Sequence, residues 1–91
     1  MLVERDQIIE VITPYLTHIF DEFRSKGLWA LSNIVADEAM YHHLLSNEQA
    51  MKKIKLLSEK EEKKTVRLQM YYFYLNILCV CKQDDFPHFF N

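Results

Sequence analysis

The sequence has few of the residues that make tight turns and no segment long enough to cross a membrane. One glycine and two prolines among 91 residues leave almost nothing for β-hairpin turns. The longest apolar stretch, residues 70–81, contains Asn76 and is far shorter than the roughly 20 residues that span a bilayer. The first residues do not place a basic stretch before an apolar one, so no secretory signal is predicted. We expect a helical protein that has no membrane partner.

Net charge and cysteine content exclude further classes of partner. Eleven basic and thirteen acidic side chains give a formal charge of −2, which is too small for the chain as a whole to attract nucleic acid or an anionic membrane. The two cysteines, Cys79 and Cys81, lie two residues apart in an apolar helical run, where a disulfide between them would be strained. We therefore expect a protein of the cytoplasm, the nucleus or both, without a nucleic acid partner.

The motifs of catalysis and of metal binding are also missing. The sequence has no Gly-rich phosphate loop, no nucleophile elbow and no Ser/His/Asp grouping. The side chains of His42 and His43 diverge on a helix, and Cys79 and Cys81 do not have zinc-finger spacing. Lysines between residues 52 and 67 are interspersed with glutamates, which is typical of a solvated helical face. No enzyme activity, cofactor or metal is predicted.

What the sequence does contain is a strong helical pattern. Apolar residues make up 49% of the chain and aromatic residues 13%, more than a disordered chain carries, and its many Leu, Lys, Glu, Met and Ala residues favour helices. We predict an all-α fold in a single domain, residues 1–91, with two sets of three helices. The first set is expected at 8–12, from Thr13-Pro14 to Phe23, and around Trp29 after a turn at 24–27; the second is expected at 38–45, 50–57 and about 61–82.

A five-residue phrase occurs twice, as residues 29–33 (WALSN) and, altered, as residues 72–76 (YFYLN). The asparagines that end the two copies are 43 residues apart, within the roughly 40 to 47 residues of a HEAT or armadillo repeat. In each copy an aromatic residue and an amide at positions i and i+4 share one face of a helix. The spacing favours a binding scaffold built from stacked helical units.

A helical wheel separates the first copy of the phrase from the core. The aliphatic residues of 28–35 form one face, while Trp29, Asn33 and Asp37 lie away from it. A lone tryptophan usually fills a core, but here the aliphatic residues already supply the core face. The side chain of Trp29 is therefore expected to point outward.

The string from Gly27 to Asp37 (GLWALSNIVAD) resembles the third helix of an armadillo repeat in the importin α family, whose members recognise nuclear localisation signals. The resemblance implies a short right-handed superhelical solenoid of about two armadillo-type three-helix repeats. These repeats would occupy about 4–37 and 38–82, followed by an aromatic tail at 83–91.

The resemblance also implies a mode of binding. Trp29 would stack against the aliphatic stem of a lysine or arginine, and Asn33 would hold the backbone of an extended peptide. Asp37, one turn further on, would pair with a lysine ammonium group. Tyr72 and Asn76 would take the corresponding positions in the second repeat. The partner would then be a protein or a peptide rich in Lys and Arg.

Two questions stay open in the sequence. The last predicted helix is apolar on every side, so either Tyr72 and Asn76 are packed inside, with Asn76 hydrogen-bonded to a neighbour, or another chain covers this helix. The function is either peptide binding or, alternatively, that of a structural subunit packed inside a larger assembly without peptide-binding activity.

Because two repeats leave open ends, a homodimer or larger complex is expected. The tail, with Phe86, Phe89 and Phe90, is expected to cover such an end or to contact a partner.

Overall fold

The computed structural model describes residues 7–81 and Pro87. Every regular element in this part of the chain is helical, which confirms the predicted all-α class. The predicted tail at 83–91 lies outside the described residues, apart from Pro87. The elements are α1 (Ile8–Ile12), a 3-10 helix (Thr13–Thr17), α2 (Asp21–Ile34), α3 (Glu38–Ser46), α4 (Glu48–Lys60) and α5 (Lys64–Val80).

The first half of the chain differs from its predicted form. The helix expected from Thr13 to Phe23 is only the 3-10 helix, and α2 runs unbroken through the turn expected at 24–27. Thr13, at the predicted start of that helix, does not cap it, because the Thr13 hydroxyl donates to the Ile9 carbonyl at 2.6 Å. Gly27 does not end a helix either. It lets α2 approach the 3-10 helix, since a Cβ at this position would lie 3.1 Å from the Cβ of Tyr15.

The second half has the three helices that the sequence predicted, with different ends. Asn47 caps α4 by accepting a hydrogen bond from the Ala50 amide at 3.1 Å. The helix α4 continues to Lys60, three residues beyond its predicted end at residue 57. The joint lies at 61–63, and α5 follows it.

A single core connects both halves. The predicted aliphatic face of α2 is confirmed, because Leu28, Leu31 and the residue after the helix, Val35, are fully buried. The helix α2 packs against the 3-10 helix and α5, and α4 packs against the 3-10 helix and α3. The other buried apolar residues come from every element: Ile9, Leu16, Met40, Tyr41, Leu44, Ala50, Ile54, Leu57, Val66, Met70, Phe73 and Ile77.

Two polar contacts fix the direction of α5 relative to α2. Near the start of α2, Arg24 donates from Nε and Nη2 to the carboxylate of Glu61, at 2.7 and 3.0 Å. Near its end, the side-chain amide of Asn76 donates to the Ser32 carbonyl at 2.9 Å. Glu61 precedes α5, and Asn76 lies in its last turn and a half. The start of α2 is thus joined to the start of α5, and the end of α2 to the end of α5. The two helices therefore run in the same direction.

The Arg24–Glu61 ion pair is well shielded from solvent. The exposed fractions of the two side chains are 16% and 6%, and Arg24 Nη1 also donates to the carbonyls of His18 and Ile19. The hydrogen bonds from Arg24 lower the pKa of Glu61 against the opposing effect of burial. The same contact raises the pKa of Arg24. The pair therefore joins the loop before α2 to the joint before α5.

We predict that Glu61→Gln lowers the free energy of unfolding at neutral pH by about 1.5 to 3 kcal/mol, the range for hydrogen bonds to charged groups. Because folding lowers the pKa of Glu61, its contribution is complete above its ordinary pKa of about 4.5 and is lost as the pH falls through the lowered value. Urea unfolding of the unchanged protein and of Glu61→Gln across this pH range measures the difference in their free energies of unfolding.

Glu59→Gln, an exposed change on α4, is the matched control for Glu61→Gln and should leave stability nearly unchanged. A Glu61→Gln effect that stayed constant down to the most acid pH would show that the carboxylate charge is not what matters.

Candidate functional site

Trp29 and Tyr72, the two aromatic residues of the repeated phrase, both point into solvent. The exposed fraction is 60% for Trp29 on α2 and 53% for Tyr72 on α5. Each lies about one turn before the residue that joins the two helices, Ser32 on α2 and Asn76 on α5. The two rings therefore lie at about the same height along the helix pair.

The two rings also lie on the same side of the pair. At about 100° per residue, Trp29 is about 60° clockwise from Ser32, and Tyr72 is about 40° anticlockwise from Asn76. When two parallel helices are viewed from the same end, a residue clockwise of the contact on one helix and a residue anticlockwise of the contact on the other lie on the same side of the pair. The buried residues Leu28 and Phe73 fall on the opposite side by the same construction. The structure thus brings Trp29 and Tyr72 together on one solvent-facing surface.

Asn33 is exposed, one turn after Trp29 on the same face of α2. Next to this face, Lys26 Nζ donates to the Glu22 carboxylate at 3.1 Å, an exposed pair spaced i,i+4. The surface around Trp29 therefore carries a positive and a negative charge that largely offset each other. Besides this pair, the face presents the ring of Trp29 and the amide of Asn33 to solvent.

Asp37 is not where the sequence placed it. The prediction continued the helix through Asp37, but α2 ends at Ile34 and Asp37 has extended backbone angles. Its Oδ1 accepts hydrogen bonds from the amides of Ala39 at 2.9 Å and Met40 at 3.2 Å. Asp37 is the N-cap of α3, which stabilises the start of that helix. Its carboxylate therefore has a structural task, although the residue is exposed.

Asn76 has a different task from Asn33 despite the matching spacing. It is half-buried, and its amide donates to Ser32, as described above. The Ser32 carbonyl belongs to the last four of α2, which have no amide donor within the helix. The predicted hydrogen bond of Asn76 to a neighbour is present, but Tyr72, which was expected to be packed inside together with Asn76, is 53% exposed. Asn76 thus holds α5 on α2.

The Arg24–Glu61 ion pair was not predictable from the sequence, because nothing in the spacing brings these residues together before the helices are packed. The same holds for a cleft of about 440 Å³ beside the pair, between the 3-10 helix and the end of α4. Leu56, Ile19 and Lys60 contribute to its wall, and no residue of the repeated phrase lines it.

The described residues hold no group of three or more His, Cys, Asp or Glu side chains that could bind a metal ion. None of their helices combines the length and apolarity that a bilayer crossing requires. Comparison of the chain with protein-family models, with curated protein sequences and with solved structures finds no match. The resemblance of residues 27–37 to an armadillo helix therefore rests on those residues alone.

We predict that Asn76→Ala lowers the free energy of unfolding by about 1 to 3 kcal/mol, because it removes a hydrogen bond and leaves the Ser32 carbonyl without its donor. Asn33→Ala, the change at the equivalent position of the other phrase, should stay within about 0.5 kcal/mol of the unchanged protein. Urea unfolding at neutral pH compares the two. Equal effects of the two substitutions would contradict the separate tasks assigned to these asparagines.

Proposed function

We propose that this chain is a protein-interaction module of armadillo type, which binds an extended peptide rich in Lys and Arg across Trp29 and Tyr72. The observation that carries the proposal is the exposure of both aromatic rings on one side of the parallel pair α2 and α5. The proposed site contains Trp29, Asn33 and Tyr72. It needs no cofactor and involves no catalysis, and the module would work in the cytoplasm or the nucleus.

The pairing of elements supports an armadillo-type stack. The third elements of the two halves, α2 and α5, pack together in the same direction, and the second elements, the 3-10 helix and α4, also pack together. In stacked helical units each element lies against its counterpart in the next unit. In this proposal the first unit corresponds to about 4–37 and the second to about 38–82.

The dimensions suit an extended ligand. Packed helices lie roughly 8 to 10 Å apart, which is close to three residues of extended chain at about 3.3 Å each. A peptide that crosses α2 and α5 could therefore place two side chains, three residues apart, over Trp29 and Tyr72. The amide of Asn33 would bond the peptide backbone between them.

The energetics favour basic side chains at both rings. A lysine or arginine over an aromatic face contributes about 0.5 to 2 kcal/mol, most over tryptophan, and one amide contact to the backbone contributes about 1 kcal/mol. Two rings and one amide give only modest affinity. Asn76 belongs to the helix joint in this proposal, and Asp37 adds a negative charge near the end of α2 in addition to capping α3.

One observation favours the alternative function, a structural subunit without peptide-binding activity. The described residues expose many large apolar side chains outside the proposed site, including Ile19 at 83% and Phe20 at 61%. Surfaces of this kind usually contact other proteins. In this alternative, the partner covers Trp29 as well.

Fluorescence tests the peptide proposal directly, because Trp29 is the only tryptophan. We predict that a Lys/Arg-rich peptide changes its emission in a saturable way, whereas the same peptide with Lys and Arg replaced by Gln does not. A labelled peptide followed by anisotropy should bind the Trp29→Ala variant about 2 to 30 times more weakly.

Tyr72→Ala should also weaken binding, by a smaller factor. Tyr71→Ala is its matched control, because Tyr71 is equally exposed on the same helix but lies about 100° away. Equal binding of the basic and the Gln-substituted peptide would refute the peptide-binding function and leave the structural alternative.

A further inference from the structure

We propose that the cleft beside the Arg24–Glu61 ion pair binds a small amphiphile, a molecule with an apolar chain and a carboxylate head group. The volume of the cleft, about 440 Å³, lies within the roughly 300 to 1,000 Å³ of small-molecule sites. No residue of the proposed peptide site lines the cleft, so binding there does not depend on the proposed peptide binding.

Apolar side chains of the core form the inner wall of the cleft. Leu16 of the 3-10 helix and Leu57 of α4 both line it, although their exposed fractions are only 0 and 6%. Ile19 and Leu56 line it closer to solvent, with exposed fractions of 83 and 43%. An apolar ligand chain in contact with these four residues would leave water together with part of the protein surface. The wall therefore favours an apolar chain over a wholly polar ligand.

The Arg24–Glu61 ion pair lines the cleft, and its hydrogen bonds are made without a ligand. Glu61 accepts from Arg24 and, at 3.0 Å, from the Lys63 amide. Arg24 Nη1 donates to the carbonyls of His18 and Ile19. These bonds join the loop before α2 to the joint before α5, and both segments line the cleft. The cleft is therefore formed in advance, which lowers the conformational cost of binding.

The remaining charges at the cleft are mainly positive. With His18 neutral, the other charged residues that line it are Lys60, Glu62 and Lys63. Among the described residues, no carboxylate lies within ion-pair distance of Lys60 or Lys63. Two ammonium groups and one carboxylate leave one positive charge in excess, which a carboxylate head group would offset and an ammonium head group would increase. The head group is thus expected beside the two lysines, with the chain against the apolar wall.

Nuclear magnetic resonance of the full chain tests this site with decanoate as the probe, at neutral pH and below the concentration at which decanoate forms micelles. We expect the methyl signals of Ile19 and Leu56 to shift in a saturable way. Decylammonium, which has the same chain and the opposite charge, should bind at least about 2-fold more weakly. Octanoate, which is two methylene groups shorter, should bind up to about 15-fold more weakly.

Variants separate the head group from the chain. The double variant with Lys60→Gln and Lys63→Gln should bind decanoate about 2 to 30 times more weakly, and its affinity for decylammonium should not fall. Lys52→Gln is the matched control, because Lys52 is an exposed lysine on α4 that does not line the cleft. Leu56→Ser should weaken the binding of decanoate and decylammonium alike, whereas Leu68→Ser, a change of a similarly exposed leucine on α5, should weaken neither. Circular dichroism checks that each variant is folded.

Equal affinity of the unchanged protein for decanoate and decylammonium would overturn the proposal, because the charges at the cleft would then not select the head group. Decanoate shifts of the Leu68 and Leu78 methyl signals as large as those of Leu56 would overturn it in favour of general adsorption to exposed apolar side chains. A response of the Ile19 and Leu56 methyl signals to an acidic, leucine-containing peptide but not to decanoate would replace the small molecule with a peptide partner.

Discussion

The packing of α2 against α5 in the same direction determines where every other feature of this molecule lies. An ion pair holds the two helices at one end, and the amide of Asn76 holds them at the other. Between these contacts the apolar residues of both helices join one core, so the side of the pair that faces away from the core is available to solvent. The exposed rings of Trp29 and Tyr72 lie at about the same height on one side of the pair because of this direction. In an antiparallel pair the same two residues would lie at different heights.

The polar contacts of this joint satisfy groups that helix geometry leaves without partners. The last carbonyls of α2 have no amide donor within the helix, and Asn76 supplies one from outside. Asp37 and Asn47 do the same for the free amides at the starts of α3 and α4. Short polar side chains thus explain why the chain needs so little glycine and proline to turn. They also explain why one of the two repeated asparagines is not free to bind a ligand.

Much of this fold could be predicted from local pattern. The wheel around Leu28, Leu31 and Val35 identified the buried face of α2 and the outward direction of Trp29, because helix periodicity depends on neighbours in sequence. The turn predicted at 24–27 was wrong because Gly27 serves a close approach to Tyr15, and such an approach depends on tertiary packing. The ion pair of Arg24 with Glu61 was not predictable for the same reason. The resemblance of 27–37 to an armadillo helix concerns the side chains of one helix, whereas a ligand site also depends on what the neighbouring helices contribute.

A single spectroscopic measurement tests the helix direction on which this account depends. In a Cys81→Ser variant, a nitroxide label can be attached to Cys79, an exposed thiol three residues after Asn76 on α5. Paramagnetic broadening of the amide signals of α2 then reports which end of α2 is near the label. Packing in the same direction predicts stronger broadening at Asn33 than at Glu22. The reverse order would contradict the account, since Trp29 and Tyr72 would then not share one surface.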